Sequence, residues 1–216
     1  MIIGFKTLII TVAHLFFRYS VYFYQTLLEN KQQNKKHNKQ VIIYMENLYS
    51  LVAKHYYSGF DLANNTYNAI SSASDGKIYY VLSSKSIDEG GKMYVYNPET
   101  DQIKFLADLT DICGEKGQNA VPQGKSHVNF YEKNGKLYFS THGGYYEIID
   151  GMERVPVNLP NGYKPYPGGH FLSYDLSSGE FEDLAMAPDG EGIVTMTMDT
   201  ERGQIYAITW PKGYFI

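Results

Sequence analysis

The chain has 216 residues and a formal net charge of −4, so it is the length of one ordinary domain and carries no basic field for nucleic acid. Its one cysteine, Cys113, excludes a disulfide framework and a cysteine-rich zinc site. It holds 21 tyrosines and 20 glycines against one tryptophan, a composition of strands and tight turns.

Composition changes sharply near Met45. Residues 1–28 are apolar (MIIGFKTLIITVAHLFFRYSVYFYQTLL), and residues 31–40 are polar (KQQNKKHNKQ) with no hydrophobic period. The polar run is expected to be disordered. Three readings of the apolar run stay open: a signal peptide, a membrane anchor, and a start placed upstream of a true one at Met45. A signal peptide is opposed by the single early cation Lys6 and the lack of a small-residue cleavage site. A spanning helix is opposed by His14 and Arg18 inside the window. The third reading rests on the Ile, Phe, Tyr, Lys and Asn that AT-rich DNA encodes. A membrane partner and an extracytoplasmic location follow only from a genuine signal or anchor; otherwise the protein is cytoplasmic. Residues 1–45 are therefore set apart, and the core is expected to span 46–216.

The core repeats itself. The first unit, 66–109, contains SDGKIYYVLSS (74–84) and GGKMYVYNPETDQIKFLADL (90–109). The second, 127–187, contains KNGKLYFSTH (133–142) and GGHFLSYDLSSGEFEDLAMA (168–187). The third opens at Gly192 with GIVTMTMD, continues as ERGQIYAITW (201–210), and reaches Ile216 where its third strand should begin. Asp-Gly and Asn-Gly mark hairpin turns whose central residues need positive φ. Each unit reads as four antiparallel strands, A to D, and such units repeated about an axis are the blades of a β-propeller.

The pattern GKxYxxT…GGxxxxYDxxTGxxxxL, over about residues 60–216, resembles the β-propeller superfamily that includes kelch, YVTN and quinoprotein amine dehydrogenase-like repeats. The resemblance implies an all-β fold: a partial β-propeller of about two and a half four-stranded antiparallel blades. A closed propeller has roughly 4–8 blades, so the remaining blades of the same propeller are the expected packing partner, and the chain is expected to lack a C-terminal portion. The other reading is a small self-contained sheet protein.

Alternating strand direction brings three histidines to one edge of this architecture. His127 begins strand A of the second unit, His142 ends strand B, and His170 begins strand C. Asn68 of the first unit and Glu191 and Trp210 of the third reach the same edge. Long connections, 109–126 and 143–169, open there, and such loops on a rigid scaffold carry function. The second holds Tyr145 and Tyr146, rings suited to a sugar or a partner. Lys125 and Ser126 set a cation and a hydroxyl beside His127, as an anionic group would need; otherwise Lys125 is a solvated loop residue.

Three chemistries fit the histidines. One is acid–base work, with His127 or His142 as base and Tyr146 assisting. Another is a divalent metal on neutral imidazoles, which no local HxxxH spacing supports. The last is capping of strand ends. Lys125, Tyr145, His170, Glu191, Trp210 and Asn68 are the expected ligand contacts. By analogy with propeller-fold polysaccharide lyases, which use His and Tyr, the expected ligand is a small molecule or saccharide and the activity lyase-like. The alternative is a non-catalytic scaffold for protein interaction. The chain has no phosphate-cradling loop, GxSxG or CxxC, so ATP-dependent and cysteine-based chemistries have no support.

Overall fold

A computed structural model describes residues 53–216; the expectations for residues 1–45 fall outside them. Residues 56–216 form one compact unit. The fold is all-β, a partial β-propeller of two four-stranded antiparallel blades and the beginning of a third. Among the described residues no helix is long and apolar enough to cross a membrane.

Blade one runs in sequence order: β1 (Ile70–Ser72), β2 (Ile78–Leu82), β3 (Lys92–Asn97) and β4 (Gln102–Asp108). A single helical turn, α1 (Leu109–Ile112), follows, capped by the Asp108 carboxylate accepting from Thr110 N at 2.8 Å. Blade two comprises β5 (Tyr131–Lys133), β6 (Lys136–Ser140), β9 (His170–Asp175) and β10 (Phe181–Met186), with a separate hairpin of β7 (Glu147–Ile149) and β8 (Met152–Arg154) inserted between β6 and β9. Blade three comprises β11 (Gly192–Asp199) and β12 (Gln204–Trp210). Where a third strand is expected from Ile216, residues 214–216 make an antiparallel bridge to β12: Thr209 N donates to Tyr214 O at 2.9 Å, and Ile216 and Ala207 exchange backbone hydrogen bonds of 2.8 and 3.0 Å.

The Gly-bearing turns are less uniform than their sequences. Asn134 (φ 53°) and Gly135 (φ 73°) both take the left-handed region that a two-residue turn requires. In the Asp75-Gly76 turn only Gly76 does, and Ala73 N to Lys77 O (3.0 Å) closes a wider loop. The third turn spans Asp199 to Gln204, closed by Gly203 N to Asp199 O at 2.7 Å.

Period-two alternation builds the core, shifted by one residue in β11 by a bulge between Ile193 and Thr195. Tyr79 and Val81 of β2, Met93 and Val95 of β3, Leu137 and Phe139 of β6, Leu172 and Tyr174 of β9, and Ile193 and Met196 of β11 form one buried cluster. Each such side chain contributes about 1.5–3 kcal/mol on burial. The blades are joined through this core and along their first strands. Tyr79 and Tyr174 lie 5.6 Å apart, ring to ring. Phe130 N donates to Ser71 Oγ at 3.0 Å, and Tyr131 OH to Met196 O at 3.2 Å. The tyrosine face of blade one is partly covered by the chain before it: Ser58 Oγ pairs with Tyr80 OH at 2.7 Å, and buried Phe60 lies 4.1 Å beneath Lys92 Nζ.

Candidate functional site

Strand register decides which histidines meet. β6 pairs with β9 as Phe139↔Leu172 and Ser140↔Phe171, and the pairing continues with Thr141 N donating to His170 O at 2.9 Å. Facing residues share a face of the sheet. Thr141 and His170 therefore share the face of Leu172, toward blade one. His142, one residue on, turns the other way, toward blade three. The three histidines stand at one end of blade two but on two sides of it, so they do not form a three-histidine metal centre. Among the described residues no group of three or more His, Cys, Asp or Glu side chains is placed to hold a metal ion.

His142 meets His127 across the start of the inner strand. Lys125 and His142 exchange two backbone hydrogen bonds of 2.8 Å, which brings His127 to 4.8 Å from His142, ring centroid to centroid. Tyr67, just before β1, stacks on His127 at 4.4 Å and 20°. Trp210, at the end of β12, stands 5.7 Å from His142 and 5.8 Å from Tyr146. Gly192 makes room for this: a Cβ there would fall 2.6 Å from His142 Nδ1. Tyr146 OH donates to Gly143 O at 2.6 Å and lies 3.4 Å from His142 Nδ1. His127, His142, Tyr146 and Trp210, with Lys125 and Glu153, line a cavity of about 190 Å³.

Lys125 is not a solvated loop residue. It is 1% exposed, with Nζ 4.6 Å from the Tyr146 ring centre and 5.7 Å from that of Tyr67, distances at which a cation gains from a ring's negative face. Glu153 Oε2 stands 3.9 Å from it, while Glu153 Oε1 takes Lys85 Nζ at 2.8 Å.

Burial sets the charge states. Loss of solvent, aided by the Lys125 charge, pulls His127 down to about 4. Loss of solvent, then the neighbouring His127 and Lys125, pulls His142 down to about 3. Both rings are neutral at neutral pH. Burial also lowers the Lys125 pKa, against an upward pull from Glu153, and raises that of Tyr146. His127 Nε2 is buried without a hydrogen-bond partner in the described structure.

The other expected contacts sit elsewhere. His170 is held between carboxylates, Nδ1 at 2.9 Å from Asp183 Oδ2 and Nε2 at 2.9 Å from Glu115 Oε1. The network continues inward. Gln123 Nε2 donates to Glu115 at 2.9 Å, and Gln123 Oε1 accepts from Thr141 (2.7 Å) and Tyr166 (2.6 Å). Burial lowers the His170 pKa, but the two carboxylates outweigh it and the net shift is upward. Glu191, 1% exposed, accepts from Thr209 Oγ1 (2.7 Å) and Lys212 N (2.9 Å), fixing the turn after β12. Tyr145 lines a narrow cleft beyond Tyr146, with Val155 and Tyr166. Asn68 is exposed at the entry to β1, its carbonyl accepting Ile70 N, and does not line the cavity.

Tyr67, Lys85 and Glu153 join the site without being expected there. For Glu153 a signal exists: Asp150-Gly151 stands between EII and MER, and both residues take positive φ (53° and 77°), a hairpin turn inside what reads as a loop. No family model matches the chain, and no curated protein does.

Proposed function

We propose that this cavity binds a saccharide-type ligand, within a propeller of the kelch, YVTN or quinoprotein-like kind. The observation that carries the reading is the pair of neutral imidazoles 4.8 Å apart, one with an unpartnered Nε2, lining one cavity with Tyr146 and Trp210 while Tyr67 stacks on His127. Aromatic faces pack on the C–H faces of a sugar ring, and a neutral imidazole accepts a proton. The catalytic form of the reading is lyase-like. His127 removes a C–H proton, the freed electron pair forms a C=C bond, and the C–O bond on the adjacent carbon breaks. The leaving oxygen is protonated by Tyr146 or water. A ring with a pKa near 4 is a weak base; negative charge on the ligand beside it raises that basicity.

The test is a panel of oligosaccharides added to the full chain. Trp210 fluorescence reads binding, and ultraviolet absorbance of a new double bond reads turnover. A saturable fluorescence change that His127→Gln weakens is expected. No change with any saccharide overturns the reading. A scaffold role is the second reading, supported by the inserted hairpin and the segment after it, where Ile148 is 65% and Val157 77% exposed.

A further inference from the structure

We propose that Lys125 and His127 form a subsite for an anionic group, carboxylate or phosphate, and that Glu153 on the β7–β8 hairpin is its built-in competitor. The inference rests on the reading of this cavity as a ligand site, not on the ligand being a sugar.

A buried ammonium needs a counter-charge. Among the described residues lining the cavity the one carboxylate is Glu153. At 3.9 Å it lies beyond hydrogen-bond distance of Lys125, and its nearer partner is Lys85 at 2.8 Å. Lys125 Nζ is thus left mostly to the faces of Tyr146 and Tyr67. His127 lines the same cavity, and its Nε2 is buried and unpartnered. An ammonium is a donor without acceptor capacity, and His127 Nε2 is a donor in the Nε2–H tautomer, which is distinct from the tautomer in which that nitrogen would act as the base. A carboxylate or phosphate presents acceptors only, and it would satisfy both groups at once.

Glu153 has the same chemistry as that ligand group. It is attached to a two-stranded hairpin that is hydrogen-bonded into neither blade, and its side chain is 37% exposed. It can therefore yield to an incoming anion while keeping Lys85, with no strand of a blade disturbed.

The test titrates the full chain with glucuronate, glucose and inorganic phosphate, reading Trp210, the sole tryptophan, in the native protein, Glu153→Gln and Lys125→Gln. Glucuronate or phosphate is expected to saturate the signal where glucose does not. Glu153→Gln should tighten the anion by about threefold, and Lys125→Gln should weaken it by roughly tenfold or more. Saturation by glucuronate alone assigns a carboxylate ligand, and by phosphate alone a phosphate ligand. Should Lys125→Gln fail to fold, Glu153→Gln, at a half-buried position on the separate hairpin, carries the test. If glucose and glucuronate bind alike and neither variant changes this, the anion subsite falls while the saccharide reading stands. If phosphate binds and no sugar does, the saccharide reading falls and the subsite stands. Weaker anion binding in Glu153→Gln overturns the competitor role, and silence from all three probes overturns the subsite.

Discussion

Tyr67, entering blade one, lies flat on His127, entering blade two, with ring centroids 4.4 Å apart at 20°. The site is therefore made between blades, and its geometry depends on their packing. Tyr67→Ala should cost about 0.5–1.5 kcal/mol beyond the lost contact area, measured by urea unfolding. By letting solvent reach His127 it should also lift that ring's pKa toward its ordinary value, read by NMR titration of the imidazole protons. An unmoved titration would show that Tyr67 does not shield the ring.

Acid should unfold the protein through His127 and His142. Their folded pKa values, about 4 and about 3, lie below the ordinary value of about 6.5. As pH falls below about 6.5 the unfolded chain takes up protons first, so the stability these rings carry above that pH is lost progressively as pH falls toward the folded values. His170 is shifted upward, so its contribution is present at low pH and is lost as pH rises through its raised pKa. The expected urea midpoint is lower at pH 4 than at pH 7, and His127→Gln should narrow that difference. An unchanged difference would remove His127 from the acid response.

Gly192→Ala places a methyl 2.6 Å from His142 Nδ1, so the ring must move. Overpacking of this kind costs about 1–3 kcal/mol, and the shift should appear as a changed Trp210 emission in the folded variant. Gly144→Ala is the harsher case, because its Cβ would fall 1.9 Å from the Ser84 carbonyl oxygen and 2.8 Å from Gly124 Cα. Backbone cannot yield as a side chain can. The expected order of thermal midpoints is native, then Gly192→Ala, then Gly144→Ala, and the reverse order for the two variants would contradict these contacts.

His170→Leu should be costly without touching the cavity. It leaves Glu115, 8% exposed, with one fewer partner and Asp183 without its imidazole. Breaking a buried charged arrangement costs about 3–5 kcal/mol. If the folded variant binds a cavity ligand as the native protein does, His170 is structural; a loss of binding matching that of His127→Gln would return it to the site.

The blades were legible in the sequence because their signals are local. Gly-bearing turns, tyrosine-rich strands and Gly-Gly openings placed β2, β3, β6, β9, β11 and β12 close to their observed bounds. The end of the blade at which the histidines gather was legible too, since it needs only strand direction. Their side was not expected, although parity contains it: Thr141 faces His170, so His142 cannot. The partners of Glu191 and His170 were hidden for another reason. Thr209 lies 18 residues from Glu191 and Glu115 lies 55 from His170, and no local pattern encodes such pairings. Burial of Lys125 depends on Tyr67 and Tyr146, which arrive from the entry to blade one and from the connection after β6.

The β7–β8 hairpin enters between β6 and β9, yet those strands pair in unbroken register on either side of it. The pairing of those strands thus does not depend on the hairpin residues 147–154, whereas Tyr166, Gly168 and Gly169 further along the same connection are tied to the blades by hydrogen bonds. Substitutions or length changes in the hairpin can alter the charge offered at position 153, and with it the choice of ligand, while the inherited framework stays fixed. Selection can work on preference and on folding as nearly separate traits.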